Sequence, residues 1–220
     1  MNSKERIIAP NAHSTSKRHW LVPAVLIFLS LVPLAAGIVR LISLVNGSEI
    51  TPDNARFFEA PIPITLHVIY SLVFCVLGAF QFNARFRHHK LNWHRRAGRL
   101  LMVCGLGAAI TGLWMTHFYL LEPHIQHKLL YVFRMLIGTA MVTSILLSLL
   151  AIRRKKIAAH RAWIIRGYAI GQGAGTQVLV MFPVMLLSKP NTLTVAVLMI
   201  ASWVINLIIA EWAIRKSYPH

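Results

Sequence analysis

The sequence predicts an all-α integral membrane protein of six transmembrane helices, the second to fifth forming a central four-helix bundle. Composition is the first reason: the 220 residues are 56% hydrophobic and 13% charged, with a mean hydropathy of +0.60, outside the range of soluble domains. The second is length, because six apolar stretches can each cross about 30 Å of hydrocarbon. Five carry no charge: Leu21 to Val39, Ile64 to Ala84, Leu100 to Leu121, Gly167 to Leu187 and Asn191 to Ala210. The sixth, Leu129 to Ile152, is interrupted by Arg134. The third reason is the placement of the basic residues, taken up below.

Residues 1–18 are polar and read as a cytoplasmic N-terminal arm, and 19–216 as one transmembrane domain with no separate soluble part. Span one, 20–45, carries Pro23 and Pro33, which read as kinks. Ala35 and Ala36 resemble a signal-peptide cleavage site, but the apolar pattern runs on to Val45, as in an uncleaved anchor. The connection 46–63 is the longest; with Glu49, Asp53, Glu59 and the pair Phe57–Phe58, it can cover a site from the non-cytoplasmic side. Span two (63–85) reaches span three (94–120) through a basic hairpin, and span four (127–152) follows a short turn around Glu122 and Pro123. Span five (160–187) follows a second basic stretch, and span six is 190–214. Short connections make spans two to five an up-down-up-down unit, with spans one and six on its flank.

The net charge of +17 is not a nucleic-acid signature, because of where it lies. Four Lys or Arg precede span one, six fall between Arg85 and Arg99, six between Arg153 and Arg166, and two are Arg215 and Lys216. These eighteen of 23 share one side of a six-span topology, whereas Glu49, Asp53, Glu59 and Glu122 fall on the other. The positive-inside rule then puts both termini in the cytoplasm. Cys75 and Cys104, both inside spans, read as small apolar core residues.

Four histidines stand near the starts of their spans, His67, His94, His127 and His160, each followed eleven residues later by a glycine: Gly78, Gly105, Gly138 and Gly171. Eleven residues are about 16 Å of helix, and the glycine returns to nearly the same face. In an up-down-up-down bundle, His67 and His127 form an outer layer and His94 and His160 an inner one. Opposed imidazoles are a common axial ligand set for haem, and saturate the iron in a way that suits electron transfer. Glycine on the passing helix leaves room for the macrocycle. The spacing therefore predicts two b-type haems.

The bland reading is that small residues let membrane helices pack closely, and Gly167, Gly171 and Gly175 form such a stripe. His94 and His160 sit beside arginines and also suit an interface, and His127, between Gln126 and Lys128, also suits a loop edge. His88, His89, His117 and His124 are substitutes, and His13, His19 and His220 are incidental. Arg134, two turns below His127, is placed for an outer haem propionate, or else snorkels. Arg99, Arg95 and Arg85 can neutralise inner propionates, although positive-inside bias also accounts for them. Arg166 and Glu211 read as a structural ion pair.

The segments His94-Arg95-Arg96-Ala97-Gly98-Arg99, His160-Arg161-Ala162-Trp163-Ile164-Ile165-Arg166 and Trp203 to Glu211-Trp212, with His67 and Gln81, resemble the bacterial domain-of-unknown-function 2306 family over about residues 63 to 215. That family looks related to two-haem transmembrane cytochromes such as cytochrome b561, whose paired histidines on four helices hold two b-type haems. The resemblance implies electron transfer across a bacterial inner membrane, as a transmembrane oxidoreductase. Its pattern has no fixed histidine at the place of His127, which leaves a single haem between His94 and His160 as an alternative.

The expected partners are membrane lipid, an electron donor and acceptor (a quinol, an ascorbate-like reductant or ferric iron), and a second copy or larger membrane complex. The competing function is a haem-free scaffold or accessory subunit. A carrier using the histidines as transient ligands fits less well, because carriers place polar sites at the midplane.

Overall fold

The computed structural model describes residues 12–83, 90–119 and 127–217, with the side chains of all but 12–19 and 217. Within them the chain forms eight helices: α1 (Ala12–Asn46), α2 (Ala55–Glu59), α3 (Pro61–Gln81), α4 (Leu91–Phe118), α5 (Lys128–Arg153), α6 (Ile157–Gly171), α7 (Gly173–Leu187) and α8 (Thr192–Ser217). Helix is the form that satisfies backbone polar groups within one segment when no water is at hand. Five of these helices are long and apolar enough to cross a membrane, and the bent pair α6–α7 makes a sixth span if counted as one. The end bearing α4's first turn and the α5–α6 turn is called the basic end, and the end bearing α2 the acidic end.

Successive helices pack side by side: α3 on α4, α4 on α5 and α5 on α6. Helix α1 lies against α3 and α7, and α8 against α6 and α7. The core at the centre of the four-helix unit is built on Phe74, Met141, Ile145 and Tyr168. The outside is lined by exposed apolar residues such as Phe28, Val103, Leu136 and Phe182, as lipid contact requires.

Helix ends follow local chemistry. Pro61 and Pro63 open α3, where the missing N–H costs nothing. Gly47 closes α1 at φ +63°, with Ser48 N–H donating to Ser43 O at 3.1 Å. The same left-handed turn closes α5 at Lys155 (φ 57°), where Lys156 N–H reaches Ala151 O at 2.9 Å and Lys155 N–H reaches Ile152 O at 3.0 Å.

Two features depart from the expectation. The connection 46–63 contains α2, held by Asn54, whose Oδ1 accepts from Thr51 N–H (2.7 Å) and whose Nδ2 donates to Glu49 O (2.9 Å). The fifth span, expected as one helix over 160–187, is two helices bent by 42° around Gln172. The reason lies in the neighbours. Asn206 Nδ2 donates to Ala169 O (3.1 Å) and Trp203 Nε1 to Ile170 O (3.2 Å), so α8 satisfies carbonyls that a continuous helix would satisfy itself. Gly173 and Gly175 allow the bend: a Cβ on the first would overlap the Trp203 indole, and on the second the Leu29 carbonyl.

Candidate functional site: two cavities at opposite ends of the bundle

At the basic end, the first turns of α4, the last turn of α5 and the start of α6 enclose a cavity of about 670 Å³. His94 and His160 both line it, with Arg95, Arg96 and Arg99 on the α4 side. His160 is fixed by its own neighbour helix: Nδ1 lies 3.1 Å from the Ser148 carbonyl and 2.8 Å from the Ser148 hydroxyl, which donates to His160 O at 3.2 Å. A carbonyl only accepts, so Nδ1 carries the proton and Nε2 of the neutral ring keeps its lone pair. A backbone carbonyl holding the far nitrogen is the usual support of a metal-binding histidine.

The second cavity, about 550 Å³, runs from the acidic end toward the bundle centre. His67 lines it, with Nδ1 donating to Ala108 O (3.0 Å) beside Thr111 Oγ1 (3.1 Å), so Nε2 is again the open nitrogen. Arg40, Arg56 and Arg134 also line it, as do Gly138 and Gly171. Phe57 of α2 roofs the acidic end, with the guanidinium carbons of Arg40 and Arg56 4.4 and 4.6 Å from its ring centre, and its ring forms a T-shaped pair with Tyr119, centroids 5.5 Å apart.

The structure brings together His94 and His160 but not His67 and His127. His127 caps α5, its Nδ1 accepting from Leu129 N–H at 3.2 Å, and it does not line the cavity that His67 faces. The residue opens the helix as its N-cap rather than standing inside it.

The glycines behave differently from porphyrin clearance. A Cβ on Gly105 would come within 2.6 Å of the Phe74 ring, and on Gly171 within 2.8 Å of the same ring; on Gly138 it would meet Leu113 at 2.6 Å, and on Gly78 it would overlap Tyr168. Each gap is filled by a side chain of this protein.

Arg166 and Glu211 form a two-toothed ion pair, Nη2 to Oε2 at 3.0 Å, with Trp163 stacked on the guanidinium. His117 Nδ1 lies 2.9 Å from the Tyr131 hydroxyl. Arg85, Glu122, His88, His89, His124 and His220 lie outside the described residues, as do the side chains of His13 and His19. Cys75 and Cys104 are buried free thiols.

Among the described residues no three His, Cys, Asp or Glu side chains converge as a metal site. Haem asks for less, because porphyrin supplies four of the six iron ligands. At the basic end two imidazoles line one cavity with arginines beside them, the residue types that would hold that group. The His67–His127 set does not.

Arg40 and Arg56 were not singled out by the sequence; in the structure Arg40, His67 and Arg134 each stand six residues from the acidic end of their helix.

The profile of a family described as a predicted membrane protein (DUF2306) matches residues 64–214. The chain belongs to this family. The DUF2306 segment takes in α4 to α7 and nearly all of α3 and α8, and so both cavity histidine sets; α1 and α2, with Arg40 and Arg56, precede it. No curated protein and no solved structure matches the chain.

Proposed function

We propose that the protein is a membrane-embedded b-type cytochrome that holds a haem between His94 and His160 at its basic end. The shared cavity of those two imidazoles carries the reading. Ser148 orients His160 with Nε2 available, and Arg95 and Arg99 offer cations to carboxylates at the cavity rim. When bound, haem supplies one-electron chemistry, and two imidazole ligands leave no open iron position, which favours electron transfer. A second haem on His67 and His127, and with it the two-haem route of cytochrome b561, has weaker support because His127 caps a helix. By the positive-inside rule the basic end faces the cytoplasm of a bacterial inner membrane.

The test is spectroscopic. Protein purified with haem supplied should develop a Soret band and sharp visible bands on dithionite reduction; protein that stays colourless sinks the proposal. A second reading, a haem-free scaffold or accessory subunit, is favoured by the four glycines, whose gaps are occupied by Phe74, Tyr168 and Leu113. Colourless, folded protein recovered with a larger membrane complex would support it.

A further inference from the structure

We infer that the acidic-end cavity is a binding site for an anionic amphiphile, a carboxylate or phosphate head on an apolar body, entering from the acidic end. Four observations converge on it. Arg40 on α1, His67 on α3 and Arg134 on α5 all line the cavity. Each stands six residues in from the acidic end of its helix, so the three form a shelf at one depth, about 9 Å inside.

The charge on this shelf is uncompensated. Among the described residues neither Arg40 nor Arg134 has a carboxylate partner: Arg40 lies over the Phe57 ring, and the Arg134 guanidinium has only the Met199 sulfur, 3.8 Å away. Arg56 of the roof also lines the cavity. Two such cations beside one cavity in a membrane-spanning protein are costly unless an anion joins them.

Lower in the cavity the donors continue. The first turn of α7, from the break at Gln172, points its N–H end into the membrane interior, and Gln172, Gly175 and Gln177 all line the cavity. Gln177 Nε2 is buried and has no hydrogen-bond partner. A half-helix N-terminus and a bare amide donor both favour negative charge or an accepting oxygen.

The remaining wall is apolar, from Leu34 and Val68 down to Phe74 and Ile137. A head held on the arginine shelf would therefore send its apolar body toward Phe74. Because Arg40 and Arg56 precede the family-matched segment, this site is assembled in part from what lies outside it. It stands whether or not haem binds at the other end.

The test is equilibrium binding of radiolabelled palmitate to the full chain in a nonionic detergent, with hexadecanol as the neutral twin. Palmitate should bind saturably at one per chain and hexadecanol at least tenfold more weakly. Arg134→Gln and Arg40→Gln should each weaken palmitate about tenfold, and Arg134→Lys less. Competition separates the sources of the head: displacement by phosphatidylglycerol and not by phosphatidylcholine assigns a phospholipid, and displacement by neither assigns a free carboxylate amphiphile. Equal binding of palmitate and hexadecanol overturns the inference, as does unaltered palmitate binding by folded Arg134→Gln. If that variant does not fold, Arg40→Gln and Arg56→Gln decide by the same criterion.

Discussion

His160 donates its Nδ1–H to the Ser148 carbonyl at 3.1 Å, twelve residues back on the preceding helix, so the α5–α6 turn itself aims the imidazole into the basic-end cavity. Removing the hydroxyl in Ser148→Ala keeps the carbonyl contact but loses the 2.8 Å partner and the bond to His160 O. Haem affinity should fall about tenfold, as for other outer-shell partners. Haem-to-protein ratio at limiting haem, with the low-spin resonance signal, reads this; an unchanged ratio argues that Ser148 only packs.

Single replacements separate the histidines. His94→Ala and His160→Ala should each abolish the same haem signal, whereas His127→Ala should leave it intact and cost only a helix cap, about 1 kcal/mol or less. Loss of colour in folded His127→Ala would restore the outer pair as a ligand set.

Close packing at Phe74 gives a prediction that holds with or without haem. Gly105→Ala brings a methyl within 2.6 Å of the Phe74 ring and 2.8 Å of Ile145, both almost wholly buried. It should destabilise by about 1–3 kcal/mol in thermal or denaturant unfolding. Phe74→Leu in the same chain should recover part of that loss, since the two sites share one space. Additive effects would mean that the ring does not occupy the glycine gap.

At the bend, Asn206 accepts from Thr176 Oγ1 at 2.7 Å while donating to Ala169 O. Asn206→Leu leaves both groups unmet and should cost about 1–2 kcal/mol. Thr176→Val, which spares the carbonyl contact, should cost less. Equal costs would show that the α6 carbonyl needs no cap from α8.

The α5–α6 turn offers a change in the opposite direction. Lys155 holds φ 57°, a conformation that strains residues with a Cβ. Lys155→Gly should raise stability by about 0.5–1 kcal/mol. A lower melting temperature would mean that the lysine side chain holds the turn.

The helical spans and their alternation were legible because hydropathy and charge placement are one-dimensional signals that the membrane itself enforces. That His94 and His160 fall at the basic end was legible for a related reason, each opening a span beside arginines. The bend was not, because the stretch from Gly167 to Leu187 carries no charge and reads as one span, which conceals that α8 brings Trp203 and Asn206 to the height of Gln172. Its trace was a polar residue set between two glycines. His127 misled for the converse reason: its spacing to Gly138 matched a helix interior, while its own chemistry served the cap. The cavity shelf was missed because Arg40 and Arg134 fall on different helices, and only folding sets them at equal depth.

Helix α6 spans about 22 Å, with His160 opening onto one cavity and Gly171 and Gln172 bordering the other. It is a short rod with a joint at its far end. The two chambers thus share one wall element, and substitutions along this single helix reach the lining of both.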